Sequence, residues 1–276
     1  MRRKQIGIVG HGFVGKAMER LFTPAFDIAI YDTATQPSPD DLRGSDLVLI
    51  CVPTPMAADG SCDVRHVEAA VETALTYAPG AMVCIKSAVP PGTTDRLNAE
   101  HKTDRIAVSP EYVGEGTRFV APWKYPDPLD SRSHDFVIAG GPRASEVLDY
   151  FARVMAADAK YVACSALEAE LTKRFENAFL ATKVTFVNEA ARICAAHGVD
   201  WKAVRELWLL DSRIGRSHTS VFADEPGYGG KCLPKDMSAL IDEAEKAGVD
   251  ATLLKAVRAA NAEMRGEAWE THGKSA

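Results

Sequence analysis

Six cysteines stand at positions 51, 62, 84, 164, 194 and 232, and one of them sits among residues that could make it reactive. In the run Gly227-Tyr228-Gly229-Gly230-Lys231-Cys232-Leu233-Pro234-Lys235-Asp236, Cys232 follows a glycine turn and precedes a proline suited to a helix start. Helix N-terminal amides and neighbouring lysines favour a thiolate, so Cys232 is the candidate nucleophile. The other five read as inert core thiols. With no Cys-x-x-Cys pair and no regular framework, the set fits a reducing cytoplasm, and no metal site is expected.

A second group of residues is built for an anion. Gly10, Gly12 and Gly15 form a Gly-x-Gly-x-x-Gly run after an apolar strand pattern and at the start of a helix pattern. The first glycine makes the tight turn, the second lets backbone approach a pyrophosphate, and the third lets helix and strand pack closely. Phe13 and Val14 open the helix whose N-terminal amides face the anion. Asp32 lies twenty positions after Gly12, at the end of the second strand pattern, where a carboxylate would accept ribose hydroxyls. No arginine follows it closely, so the expected cofactor is NAD rather than NADP.

The elements that must hold these groups alternate through the first half. Ile6–Val9, Ile28–Tyr31, Leu47–Val52, Met82–Ile85, Ile106–Val108 and Phe136–Ile138 read as strands, several apolar on both faces. Helix patterns at Lys16–Phe22, Asp63–Tyr77, Thr93–Glu100 and Ala144–Met155 separate them. This predicts an α/β fold, a Rossmann-type doubly wound parallel sheet over residues 1–164. Residues 165–276 read as a long helix with no internal glycine or proline, followed by more helix: a smaller all-α domain carrying the cysteine loop. The long apolar-patterned helix should pair with a symmetry mate, giving a homodimer. A net charge of −6, with 25% charged residues and no run of like charges, argues against nucleic acid as a partner. No stretch approaches a membrane span, and the N-terminus lacks a signal-peptide cleavage pattern. The expected location is the cytoplasm.

With the glycine run and the cysteine loop, further segments fall in the same order as in one known family. Cys51–Pro55 (CVPTP), 86–94 (KSAVPPGTT), 109–116 (SPEYVGEG), 170–189 (ELTKRFENAFLATKVTFVNE) and 211–218 (DSRIGRSH) resemble segments of the UDP-glucose/GDP-mannose dehydrogenases. The resemblance spans residues from about 5 to 265. It implies a four-electron oxidation of a nucleotide-sugar primary alcohol to a carboxylate, UDP-glucose being the favoured substrate, with two NAD⁺ in succession. Cys232 would form a thiohemiacetal and then a thioester. Lys173 and Asn177 would hold the oxyanion, and Asp236 would orient water or the lysine. Glu115 would be the base for hydrolysis, supported by Glu111. Thr54 and Ser87 would lie along the cofactor, with Lys235 toward its phosphates. Tyr112, Tyr228, Gly229 and His218 would line the substrate site, and Arg213 would reach the substrate of a neighbouring subunit.

Two departures from the family pattern stand out. Ala88 occupies a place where a threonine hydroxyl usually helps to position the hydrolytic water, so thioester hydrolysis is the step in question. The sequence also stops where the family continues into another α/β domain that grips the nucleotide; a separate chain is one way to supply it. Two alternatives stay open: a single-step hydroxyacid-type dehydrogenase, which needs no thiol, and a catalytically impaired NAD-binding subunit.

Overall fold

The computed structural model describes residues 3–35, 38–57, 59–113, 130 and 135–266. It divides into two compact units, Met1–Pro55 with Cys62–Lys173, and Met56–Ser61 with Arg174–Ala276.

The first unit is built on a seven-stranded sheet: β1 (Gln5–Val9), β2 (Asp27–Tyr31), β3 (Leu47–Ile50), β4 (Met82–Ile85), β5 (Ile106–Val108), β6 (Phe136–Gly140) and β7 (Lys160–Cys164). Their spatial order is β2-β1-β3-β4-β5-β6-β7. All neighbouring pairs are parallel except β5 and β6, which meet antiparallel at Val108 and Gly140. The α/β expectation holds, and the sheet is mixed at this one seam. Helices α1 (Phe13–Phe22), α2 (Arg65–Tyr77), α3 (Thr93–Glu100) and α4 (Ala144–Phe151) accompany it.

Strand alternation explains why so many apolar runs were needed. Leu47 and Leu49 of β3 join one core with Met18 and Phe22 of α1 and Phe151 of α4. Val48 and Ile50 point the other way and pack with Val67 and Val71 of α2 and Leu97 of α3. β7 differs from this rule. It is an edge strand whose alternate residues are largely exposed, and its mixed composition carries little strand signal.

Helix α5 (Ala166–Ala196) runs for 31 residues, roughly 46 Å at the usual rise. It starts on a capping box, in which the Glu168 amide donates to Ser165 Oγ at 3.2 Å and the Ser165 amide donates to Glu168 Oε2 at 2.8 Å. In the second unit, α5 is joined by α6 (Trp201–Trp208), α7 (Leu233–Lys246) and α8 (Thr252–Arg265). Ala178 and Ala181 of α5, Met237, Leu240 and Ile241 of α7, and Val257 of α8 make its core. Among the described residues, no helix is long and apolar enough to cross a membrane.

Candidate active site

The chain passes from β1 outward to β2 and then returns to β3 on the other side of β1, so a switch point opens beyond the carboxyl ends of β1 and β3. The three glycines sit there, each for a different reason. Gly10 has φ of +89°, and a Cβ on it would meet the Cys51 carbonyl at 2.9 Å. A Cβ on Gly15 would come within 2.1 Å of the Gly10 carbonyl, so α1 can approach β1 this closely only with glycine. A Cβ on Gly12 would meet nothing within 4 Å; this side of the loop is open. Phe13 and Val14 begin α1 directly after Gly12, with no side-chain cap and no acidic residue in the first turn. An open turn leading into an uncapped helix N-terminus suits a pyrophosphate.

Asp32 follows β2. Its carboxylate accepts the His11 amide at 2.7 Å and the Ala34 amide at 2.9 Å. These amides, His11 first, hold its pKa below the usual carboxylate value. The anion that would receive the ribose is thus fixed in place and charged. On the neighbouring loop, Thr54 is buried. Ser87 donates to the Val52 carbonyl at 2.6 Å, so its hydroxyl ties β4 to the loop after β3.

Past β5 lies the 109–113 loop. Glu111 Oε1 accepts the amides of Tyr112 and Val113 at 2.7 and 2.8 Å, while Oε2 lies 3.6 Å from the buried ammonium of Lys86. Lys86 also donates to Ser109 Oγ and the Pro110 carbonyl, at 3.3 and 3.4 Å, and rests over the Phe151 ring. Glu111 therefore braces its own loop, directly through these two amides and also through Lys86, a residue whose part was not visible in the sequence. Tyr112 turns its ring edge-on to Phe136, and the Lys173 ammonium lies 4.4 Å from the ring centroid. Glu115 lies outside the described residues.

In the second unit, Cys232 is the N-cap residue of α7 and is exposed, with Pro234 in the first turn. The helix starts at Leu233, beside the proline that signalled it, which puts the thiol at the helix start. None of the six cysteines is in a disulfide. Burial pushes the Cys84 thiol up to about 11 and raises those of Cys51 and Cys164 as well, so these resist ionisation. Asp236, one turn into α7, is almost wholly buried. Its carboxylate receives Asn177 Nδ2 and Arg174 Nη1, both at 2.5 Å, and Lys235 Nζ at 2.8 Å. Burial works to raise its pKa, but the charges of Lys235 and Arg174 and the hydrogen bonds from Lys235 and Asn177 leave it lowered. Lys235, expected to face cofactor phosphates, extends to this carboxylate.

Comparison with known proteins fits this geometry. Residues 31–125 match the NAD binding domain, and residues 167–263 the central domain, of the UDP-glucose/GDP-mannose dehydrogenase family. The chain belongs to this family. It is 37% identical over 256 residues to the UDP-glucose 6-dehydrogenase of Pseudomonas aeruginosa, an alignment covering 88% of this chain and 54% of that protein. The Rickettsia prowazekii UDP-glucose 6-dehydrogenase is 32% identical, over 80% of this chain and 50% of its own length. The chain thus spans about half the length of the curated relatives it matches. A UDP-glucose dehydrogenase structure from Pyrobaculum islandicum aligns with a TM-score of 0.78 and 29% identity, covering 95% of this chain and 68% of that one.

Other positions singled out for this member of the UDP-glucose/GDP-mannose dehydrogenase family are held by contacts the sequence did not reveal. Tyr228 is buried in the second unit's core, and Asn261 of α8 grips its backbone, accepting its amide at 2.7 Å and donating to its carbonyl at 3.0 Å. A Cβ on Gly229 would press on the Arg265 guanidinium at 2.9 Å. The glycine loop is thereby seated on α8. Arg213 is well exposed and forms a fork with Asp211. Lys183 of α5 donates to the Ile214 and Gly215 carbonyls at 3.4 and 3.1 Å, pinning that turn. His218 sits at φ of +59°, its Nδ1 2.6 Å from Ser217 Oγ, and buried Arg205 bonds Thr219 beside it. Among the described residues no cluster suits a metal ion.

Proposed function

We propose that this chain oxidises the primary alcohol of a nucleotide sugar, UDP-glucose first among them, to the carboxylate through a thioester on Cys232. The observation that carries the proposal is the grouping on α7 and α5. The exposed cysteine caps the helix on which Asp236, one turn later, binds the amide of Asn177. Family membership and the open glycine turn beside Asp32 support NAD as the oxidant.

NAD⁺, when bound, accepts one hydride in each of the two oxidations. As the alcohol gives up its proton to water, the ammonium of Lys173 and the amide of Asn177 donate to the substrate oxygen and stabilise its negative charge. Once the alcohol has become an aldehyde, the Cys232 thiolate forms a carbon–sulfur bond to it and leaves a tetrahedral alkoxide. That carbon again carries a hydrogen to give up, which is why one site can oxidise twice. Loss of the second hydride gives the thioester. Water, deprotonated by Glu115, adds to it, the carbon–sulfur bond breaks, and the thiolate is restored. Tyr112, Gly229 and His218 complete the substrate site, and Arg213 reaches that of a second subunit. The working form is a homodimer, joined through the face of α5 that exposes Phe175, Phe179, Phe186 and Ile193.

The test is to supply NAD⁺ with UDP-glucose, GDP-mannose or N-acetylated UDP sugars and count NADH formed per sugar consumed. The proposal expects two NADH, with UDP-glucose the best substrate. One NADH, with the product stopping at the aldehyde or ketone, overturns it.

A further inference from the structure

Arg174 follows Lys173 on α5, yet it is fully buried, and its guanidinium ends on two carboxylates of α7. Nη1 meets Asp236 Oδ1 at 2.5 Å, and Nη2 lies 3.6 Å from Glu243 Oε1. The other groups facing Asp236 are Lys235 and Asn177; those facing Glu243 are Asp236, Asp242 and Lys246, besides Arg174. Neither oxygen of Glu243 has a hydrogen-bond partner. A buried arginine is costly unless its charge is matched, and here the Asp236 carboxylate matches it, with Glu243 beside them.

We infer that Arg174 is a positioning residue: by holding Asp236 as an anion, it fixes which way the Asn177 carboxamide faces. An ionised carboxylate only accepts hydrogen bonds, so it must face the amide nitrogen of Asn177. That nitrogen's second hydrogen then remains to be donated elsewhere. A neutral Asp236 could donate instead, and Asn177 could turn its carbonyl oxygen to it or away from it. An oxyanion next to Asn177 would then find a mixture of donor and acceptor. Arg174 reaches no substrate in this scheme; it works entirely through Asp236. The inference rests on the proposed role of Asn177 as an oxyanion donor.

The test uses the full chain with Arg174→Met, Arg174→Lys, Glu243→Gln and the double variant Arg174→Met/Glu243→Met, which removes both buried charges together and guards against a variant that fails to fold. Far-UV circular dichroism and NAD binding report folding. In folded Met variants, kcat should fall about ten- to a hundredfold, approaching the loss of one oxyanion donor, with KM little changed. The acid edge of the kcat–pH profile should move to higher pH. Arg174→Lys, which keeps the cation, should restore that edge, and Glu243→Gln should not reproduce its shift. A readout independent of turnover is hydrogen exchange of the Asn177 side-chain amide by NMR, identified by its loss in Asn177→Asp. It should be protected in the unaltered protein and exposed in the Met variants. A protein without activity but with this amide response would sink the functional reading and leave the positioning role standing. Met variants that fold while keeping both the pH edge and the amide protection overturn the inference.

Discussion

Asp32 is the residue whose geometry constrains function most simply. Two backbone amides hold its oxygens, and each oxygen retains a further lone pair for a ribose hydroxyl. Replacing it with alanine removes those acceptors and the anchor of the His11 amide. Charge-assisted hydrogen bonds are worth ~1.5–3 kcal/mol, so NAD affinity should fall roughly ten- to a hundredfold and discrimination against NADP should relax. Calorimetric titration with both cofactors measures this, and an unchanged NAD affinity would place the ribose elsewhere. The places of Asp32, the glycines and Cys232 were legible in the sequence because they depend on near neighbours: a strand end, a turn, a helix start. Arg174 was not, because its partner lies 62 residues away and an arginine in a helix pattern reads as a solvated face. Lys86 was hidden for the same reason: it ends an apolar strand, and its charge is met from the 109–113 loop, distant in sequence.

At the scale of elements, alternation of apolar runs and helix patterns was enough to give the sheet, because central strands buried on both faces leave a strong signal. The edge strand β7 was missed since half of it faces outward. The α1–β1 contact turns on a single position. Gly15→Ala would force a methyl to within 2.1 Å of a backbone carbonyl that cannot rotate away. The cost should reach or exceed the upper end of the ~1–3 kcal/mol usual for overpacking, read as a lower urea midpoint, with loss of NAD binding. No change in either would mean that α1 lies farther from β1. The α5–α7 contact carries a pH dependence. Burial pushes the Glu243 carboxyl up to about 7, although Arg174 pulls it down. Its folded pKa thus lies above an unfolded value of about 4.3. Between these values the folded state keeps a proton that the unfolded chain has released. Glu243 therefore contributes a loss of stability as pH rises from about 4 to 7. Glu243→Gln should remove that contribution, up to about 2 kcal/mol after allowance for solvent screening. Urea unfolding of both proteins at pH 5 and pH 7 measures it; equal differences at the two pH values would contradict the assignment.

For the whole molecule, α5 exposes Phe175, Phe179, Phe186 and Ile193 at helical spacing, and Leu207 of α6 and Leu210 in the turn after it are exposed in the same unit. The sequence showed a long apolar-patterned helix, but only the fold tells which of its apolar residues are left uncovered: Ala178 and Ala181 face the second unit's core. Large apolar side chains left in water along one face are the mark of an interface. Phe179→Glu should convert a dimer into a monomer in light scattering at micromolar protein; a monomer before the change would contradict the dimer. Cys232→Ser puts a hydroxyl, a far weaker nucleophile at neutral pH, where the thioester should form. Steady-state formation of the uronic acid from UDP-glucose should fall by at least ~10³, as when a central member of a covalent catalytic unit is removed, while NAD binding is preserved. Sustained turnover to the uronic acid by the serine variant would remove the cysteine from the mechanism.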